Sequence, residues 1–148
     1  MKIQNLVYLS LFALCWFYPI TSDAFELSSV TVGANPWAIG LNPDTNTIYV
    51  TNNGNDTVSV VDGSTNMVSA NVTVGPYPSG LAVNPVTNMV YAARFPSSAV
   101  SVIDGSTNTV TTTVSVGKFP SGVAVNPVTN TIYVTNSISN TVSVIDGA

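Results

Sequence analysis

The sequence lacks histidine altogether, and it contains a single cysteine, Cys15. Without histidine, Ser–His and Cys–His nucleophile pairs and Cys/His zinc sites are excluded. One cysteine cannot form an intrachain disulfide. Aspartate and glutamate could still act as acid and base, but the sequence offers no close carboxylate pair outside its repeat pattern. We therefore expect no enzyme activity, no metal site and no cofactor.

Charged residues are also scarce, at 7% of the 148 residues. Three are basic and seven are acidic, which gives a net charge of −4 without a basic cluster. This balance argues against a nucleic-acid partner. Low charge together with 45% hydrophobic residues is not the composition of a disordered chain. The length is sufficient for one domain with a substantial core.

One apolar stretch, Leu6–Ile20, follows a short positively charged start. It has the length of a secretory signal peptide and is short for a membrane span. Ser22 and Ala24 are small residues at the −3 and −1 positions of a cleavage site, so we predict a signal peptide over residues 1–24. The mature protein would then be secreted or cell-surface, without Cys15 and without a stable membrane span. The alternatives are an uncleaved anchor or lipidation at the cysteine.

The remaining sequence repeats every 42 residues. The recurring positions are Gly33/Gly75/Gly117, Pro36/Pro78/Pro120, Asn42/Asn84/Asn126, Tyr49/Tyr91/Tyr133 and Asp62/Asp104/Asp146. A repeat of this length without helical periodicity is typical of a four-stranded propeller blade. The units cover residues 33–74, 75–116 and 117–148.

Each unit holds four short runs rich in Val, Ile, Thr and Tyr, separated by turn sequences. Small residues in the first run mark the place where blades converge on an axis. In the first unit the predicted strands are Trp37–Leu41, Thr47–Asn52, Thr57–Val61 and Val68–Val74. The sequence therefore predicts an all-β fold of β-propeller blades, each with four antiparallel strands.

The motif IYVTN occurs at 48–52 and at 132–136, preceded by NPDTN or NPVTN and followed by a TVSV segment. In these residues the chain resembles the YVTN-family β-propeller repeat, which is found in exported and surface-layer proteins of bacteria and archaea. The second unit departs from the motif, with VYAAR in place of IYVTN. The resemblance implies the propeller fold and a binding or structural module. Some propeller relatives are lactonases or quinoprotein-like oxidoreductases, so an extracytoplasmic enzyme is the alternative.

The two ends of the repeat region complement each other. The sequence at 26–33 matches that at 69–75, which predicts a closing outer strand over residues 26–32. We predict that Glu26–Val32 pairs with Thr141–Ile145, because unpaired strand edges invite association. Pairing within one chain would close a three-bladed ring, and pairing between two chains would give a homodimer with a six-bladed ring. The arc could also stay open, or the chain could be a fragment of a larger ring.

Several recurring polar and aromatic residues have structural interpretations. The aspartates at 62, 104 and 146 could gather around calcium, but a spacing of one blade keeps them apart. We predict that each caps a tight turn in which the following glycine supplies a positive φ. The NPxTN segments are predicted turns, and the recurring tyrosines are predicted to pack between blades rather than around a ligand. Asn55 and Asn71 are formal glycosylation sequons.

One face of the predicted propeller varies between the units. It combines the loops between second and third strands with the connections between blades, whereas the turns of the opposite face are nearly invariant. The basic and aromatic residues of this face are Trp37, Tyr77, Arg94, Phe95, Lys118 and Phe119. Such side chains dominate recognition surfaces, and loops on a rigid scaffold often carry function.

We hypothesise that this face binds an extracellular protein or glycan, either small and acidic or polymeric. Arg94 and Lys118 would anchor its charge. Tyr77, Phe95 and Phe119 would provide a stacking surface. The alternative is that the loops vary without constraint and that the aromatic residues fill gaps between blades.

Overall fold

A computed structural model of the protein describes residues 28–95 and 97–147. The predicted signal peptide, residues 1–24, lies outside the described residues, as do Glu26 and Leu27 of the predicted closing strand. Within the described ranges, no helix is both long and apolar enough to cross a membrane.

The described residues form antiparallel β-strands in three sheets. The strands are β1 (Pro36–Asn42), β2 (Thr47–Asn52), β3 (Thr57–Asp62), β4 (Met67–Thr73), β5 (Pro78–Asn84), β6 (Met89–Arg94), β7 (Ala99–Asp104), β8 (Thr109–Ser115), β9 (Pro120–Asn126), β10 (Thr131–Asn136) and β11 (Thr141–Asp146). Blade 1 contains β1–β4, blade 2 contains β5–β8 and blade 3 contains β9–β11, each in sequential spatial order. The prediction of an all-β fold built from propeller blades is confirmed, and in blade 1 the strand ends differ from prediction by at most one residue.

The hairpin between the third and fourth strands is closed by the Asp-Gly pair. Asp62 Oδ1 accepts a hydrogen bond from the backbone N–H of Ser64 at 2.7 Å, and the corresponding aspartate of blade 2 is bonded in the same way. The predicted turn role is therefore confirmed for Asp62 and Asp104. The predicted positive φ at the glycine is wrong, because Asn66 holds it, with φ of 56°. Gly63 is required for space instead, since a Cβ there would lie 2.5 Å from Asn46 Oδ1.

The blades pack face to face through two buried clusters. The cluster between blades 1 and 2 contains Tyr49, Val58, Val60, Val72, Val74, Leu81, Val90, Ala92 and Ile103. The cluster between blades 2 and 3 contains Tyr91, Val100, Val102, Ile132 and Val134. The predicted packing of tyrosines between blades is confirmed for Tyr49 and Tyr91, and burial raises the pKa of both phenols. Full burial of a large apolar side chain contributes about 1.5–3 kcal/mol, so these clusters hold the arc together.

Asparagine side chains cross the same two interfaces. Asn42 Nδ2 donates to Asn88 Oδ1 at 2.7 Å between blades 1 and 2. Asn84 Nδ2 donates to Asn130 Oδ1 at 2.7 Å between blades 2 and 3. Because the residues stand at equivalent positions of the repeat, the second interface reproduces the geometry of the first.

The first strands of the blades contact one another in the order β1, β5, β9. A Cβ on Gly80 would lie 2.0 Å from the carbonyl oxygen of Ser121, and a Cβ on Gly40 would lie 2.4 Å from Leu81 Cδ2. Small residues are therefore needed where the inner strands meet, as the sequence predicts.

The closing strand predicted over 26–32 is not found in the described part of the chain. Residues 28–32 form no regular strand, and β11 is hydrogen-bonded along one edge, to β10. The reason is the order of the blades, which places β11 at the opposite end of the arc from the N-terminal segment. Val30 and Val32 instead line a pocket together with Ile48 of blade 1. The described arc is therefore open, and its third blade is described as three strands.

Candidate functional site

One face of the arc is formed by the connections between blades and by the loops between second and third strands. The backbone N–H of Phe95 donates to the carbonyl of Tyr77 at 3.0 Å, and that of Ser137 donates to the carbonyl of Phe119 at 3.1 Å. The N–H of Tyr77 donates to Asp56 Oδ1, on the preceding blade, at 3.0 Å. The two sets of loops therefore fix each other in a single surface, the loop face.

An apolar pocket of about 330 Å³ opens on the loop face. It is lined by Trp37, Asn53, Tyr77, Ser79, Phe95 and Ser121. Three of the predicted site residues, Trp37, Tyr77 and Phe95, meet there, and all three are exposed. Aromatic walls with a few polar groups are the usual composition of a ligand-binding pocket.

Two aromatic residues of the loop face have an unusual backbone conformation. Tyr77 has φ of 52° and Phe119 has φ of 57°, in the left-handed region. This region costs a residue with a side chain about 1–2 kcal/mol, and bulky residues rarely adopt it. Blade 1 has Asn35 at the same position, also with φ of 52°, and asparagine tolerates this conformation. Bulky aromatic residues thus occupy a position that favours asparagine, and such strain is concentrated at functional sites.

Phe119 packs against Phe95, one of the residues that line the pocket. Its ring meets that of Phe95 edge to face, with centroids 4.4 Å apart and planes at 85°. Such a pair contributes about 0.5–1.5 kcal/mol beyond its buried area. Because Phe119 is half-buried and is not one of the described lining residues, its contribution is to hold Phe95 in place.

Arg94 is not among the residues that line the pocket with Trp37, Tyr77 and Phe95. Its Nη1 and Cδ lie 2.5 and 3.2 Å from the position that a Cβ on Gly75 would occupy. Its Nε is buried and has no hydrogen-bond partner among the described residues. Side chains alternate along a strand, so Arg94 shares the face of Ala92, which packs toward blade 1.

Lys118 lies on the loop face but does not line the pocket. Its backbone N–H donates to Ser139 Oγ at 2.7 Å, and its carbonyl accepts from the N–H of Ile138 at 3.3 Å. The side chain is exposed. Three of the six predicted residues therefore form the described pocket wall, a fourth supports it, and the two basic residues lie elsewhere.

The sequence interpretation missed three polar residues of the pocket. Ser79 and Ser121 stand at the repeat position of Trp37, and Asn53 stands at the repeat position of Phe95. Equivalent positions of neighbouring blades converge near the centre of the arc. The 42-residue spacing, applied to Trp37 and Phe95, would therefore have identified these three residues in the sequence.

Acidic side chains are dispersed over the described part of the molecule. Within residues 28–95 and 97–147, no three His, Cys, Asp or Glu side chains come close enough together to hold a metal ion. Asp62 and Asp104 each stay within their own hairpin. Asn71, in one of the two glycosylation sequons, is exposed and accepts from Ser59 Oγ at 2.7 Å.

Comparison with known proteins yields similar solved structures. No protein-family model matches the chain, and no curated protein matches it. Hydrazine synthase from Kuenenia stuttgartiensis is 30% identical with a TM-score of 0.73, over 82% of this chain and 35% of that chain. A functionally unknown protein from Desulfotomaculum acetoxidans is 16% identical with a TM-score of 0.66, over 80% of this chain and 44% of that chain. The chain thus spans less than half the length of either structure, and both likenesses support a β-propeller-type fold.

Proposed function

We propose that this chain is an exported or cell-surface propeller module of the YVTN type that binds a neutral glycan through the loop-face pocket. The convergence of exposed Trp37, Tyr77 and Phe95 around one pocket carries this proposal. Aromatic rings stack on the apolar faces of sugar rings, while amide and hydroxyl groups bond to sugar hydroxyls. Asn53 and Ser121 provide those polar groups at the pocket.

The proposed ligand is neutral because of where the basic residues lie. Neither Arg94 nor Lys118 lines the described pocket. An acidic ligand would lack a cation against the aromatic surface, whereas a neutral sugar needs none. The proposed ligand is therefore more restricted than the one predicted from the sequence, in which Arg94 and Lys118 would bind the charged groups of the ligand.

The proposed role is binding rather than catalysis. Tyr77 is the one titratable side chain among the described residues that line the pocket. General acid–base chemistry needs positioned proton donors and acceptors, and lactonase-like or oxidoreductase sites need convergent carboxylate or histidine ligands. The pocket composition therefore favours recognition. Export itself rests on the predicted signal peptide, and N-terminal sequencing of secreted protein should give Phe25 as the first residue.

Calorimetric titration of the full chain with neutral cello-, chito- and xylo-oligosaccharides tests this function. We expect at least one series to bind, and we expect Tyr77→Asn and Phe95→Ser to weaken that binding about tenfold or more, as hot-spot residues do. The replacements are those that blade 1 has at the position of Tyr77 and blade 3 at the position of Phe95. Val86→Asp, which gives blade 2 the residue of blade 1 in the opposite turns, is the matched control. Unchanged binding by the two pocket variants, or no binding by any series, would refute a glycan site here.

A further inference from the structure

Every described blade interface joins two different kinds of face. The tyrosine face of a blade carries the recurring tyrosine and two valines of the third strand: Tyr49/Val58/Val60 in blade 1, Tyr91/Val100/Val102 in blade 2 and Tyr133/Val142/Val144 in blade 3. The aliphatic face carries residues of the first two strands: Ile39/Leu41/Ile48 in blade 1, Leu81/Val83/Val90 in blade 2 and Val123/Val125/Ile132 in blade 3. The tyrosine face of each blade packs on the aliphatic face of the next, in blades 1 to 2 and again in blades 2 to 3.

Blade 3 leaves its tyrosine face uncovered in the described arc. Tyr133 is 41% exposed, whereas Tyr91 at the same position of blade 2 is 2% exposed. Val144 is 65% exposed, whereas Val102 is 6% exposed. An apolar face that is buried in two blades is thus open to solvent in the third.

Among the described residues, blade 1 leaves its aliphatic face largely uncovered. Ile39 is 70% exposed, whereas Leu81 at the same position of blade 2 is 8% exposed. Leu41 is also exposed. The two ends of the arc therefore present opposite halves of an interface that the chain already forms twice.

We propose that two copies of this chain associate head to tail and close a six-bladed ring. The tyrosine face of blade 3 in each copy packs on the aliphatic face of blade 1 in the other. A second copy fits because each open face is the repeat counterpart of a face buried in the same register within the chain. Large contiguous apolar patches mark association sites, and contacts between unlike faces give cyclic oligomers when the rotation closes.

The polar groups of the interface match in the same register. Asn84, at the edge of blade 2, is fully buried and donates to Asn130 of blade 3. Asn126 stands at the position of Asn84 on the open side of blade 3 and is half-buried, while Asn46 of blade 1 is exposed. In the proposed ring, Asn126 donates to Asn46 of the second copy.

The segment before blade 1 fits the same arrangement. Val30 and Val32 line one pocket together with Ile39 and Ile48 of the aliphatic face of blade 1. One repeat later, Val72 of the outer strand of blade 1 and Val74, just after that strand, pack against blade 2. The segment thus lies on the side of blade 1 on which the outer strand of a preceding blade would pack. In the ring that blade is blade 3 of the second copy, whose β11 is paired along one edge among the described strands.

Light-scattering mass measurements on the full chain and two charge variants test the proposal. Ile39→Asp places a carboxylate in the aliphatic face, and Val144→Asp places one in the tyrosine face. A buried, unpaired charge disrupts an interface. We expect the unaltered chain to be dimeric and each variant alone to be monomeric. An equimolar mixture should be dimeric again, because one of its two interfaces joins two unaltered faces.

The mixture separates a head-to-tail contact from a symmetric one. If one kind of face packed on itself, one variant would dimerise alone and mixing would rescue nothing, which would overturn the proposal. Val128→Asp, at an exposed position in the opposite turns, is the control and should remain dimeric. Both test positions are exposed in the single chain, so each variant should keep the far-ultraviolet circular dichroism spectrum of the control, which shows that it is folded. A monomeric unaltered chain would overturn the proposal as well, and would mean that something else, such as further blades, covers the faces.

Discussion

At the residue scale, position 94 shows how blade 2 differs from its neighbours. Asn52 Nδ2 donates to Thr57 Oγ1 at 3.1 Å, and the corresponding pair of blade 3 makes the same bond. Blade 2 has Arg94 opposite Ala99 instead. Directly opposed residues of antiparallel strands have Cβ atoms about 4.5–5.5 Å apart, so the small alanine leaves space for the longer side chain. The two differences from the repeat are therefore coupled.

We predict that Ala99→Thr alone destabilises the protein by about 1–3 kcal/mol, because it overpacks the space that Arg94 occupies. Adding Arg94→Asn should recover most of that loss, since an Asn–Thr pair is what the other two blades use. Urea unfolding of both single variants and the double variant gives the coupling energy. Simple additivity would contradict direct packing between the two side chains.

At the scale of single elements, the short turns and the connections between blades place particular residues in the left-handed backbone conformation, with positive φ. The NPxTN turns end in asparagines with positive φ: Asn46, Asn88 and Asn130. The connections between blades use the same conformation at Tyr77 and Phe119. An asparagine is suited to this conformation and an aromatic residue is not, so the connections sacrifice some stability at the loop face.

We predict that Tyr77→Asn raises the free energy of unfolding by about 1 kcal/mol by relieving the left-handed strain. The ring is exposed, so little packing is lost. The same replacement should weaken glycan binding, and stability and binding would then change in opposite directions. The urea unfolding midpoint of Tyr77→Asn tests the predicted gain in stability. Val86→Asp is the control, and its midpoint should equal that of the unaltered protein. A less stable Tyr77→Asn protein would instead show that the ring packs between blades.

The strands and the packing of the blades could be predicted from the sequence because both depend on local patterns. Turn residues mark the strand ends, and the repeat places Tyr49 and Tyr91 in equivalent interfaces. The placement of Arg94 could not be predicted from loop variability alone, since it depends on which way the last side chain of β6 points. The closing strand, predicted over 26–32 with its partner in the same chain or in another, is not seen among the described residues, since its predicted partner β11 lies at the other end of the arc.

At the scale of the whole molecule, the repeat makes each interface a copy of the one before. The chain forms two such interfaces and leaves the two matching halves of a third at its ends. A single rule of assembly would therefore explain the inner contacts, the exposed apolar end faces and the position of the segment before β1. The central claim is that the end faces of two copies meet in the register of the inner interfaces.

The inner strands define which residues should meet in that register. Gly40 of blade 1 lies so close to Leu81 of blade 2 that a Cβ on the glycine would contact the leucine side chain. One repeat later, the equivalent pair between blades 2 and 3 is Ala82 and Val123. A further repeat gives Ala124 at one open end, and its partner position at the other open end is Ile39.

Cross-linking in that register tests the claim most directly. In a Cys15→Ser background, Ala124→Cys with Ile39→Cys should give a covalent dimer with a short thiol-reactive linker. Ala82→Cys with Val123→Cys should give an internally linked monomer, and Ile39→Cys with Val128→Cys should give neither product. A doubly substituted Ala124/Ile39 protein that stays monomeric under conditions that link the inner pair would contradict the account.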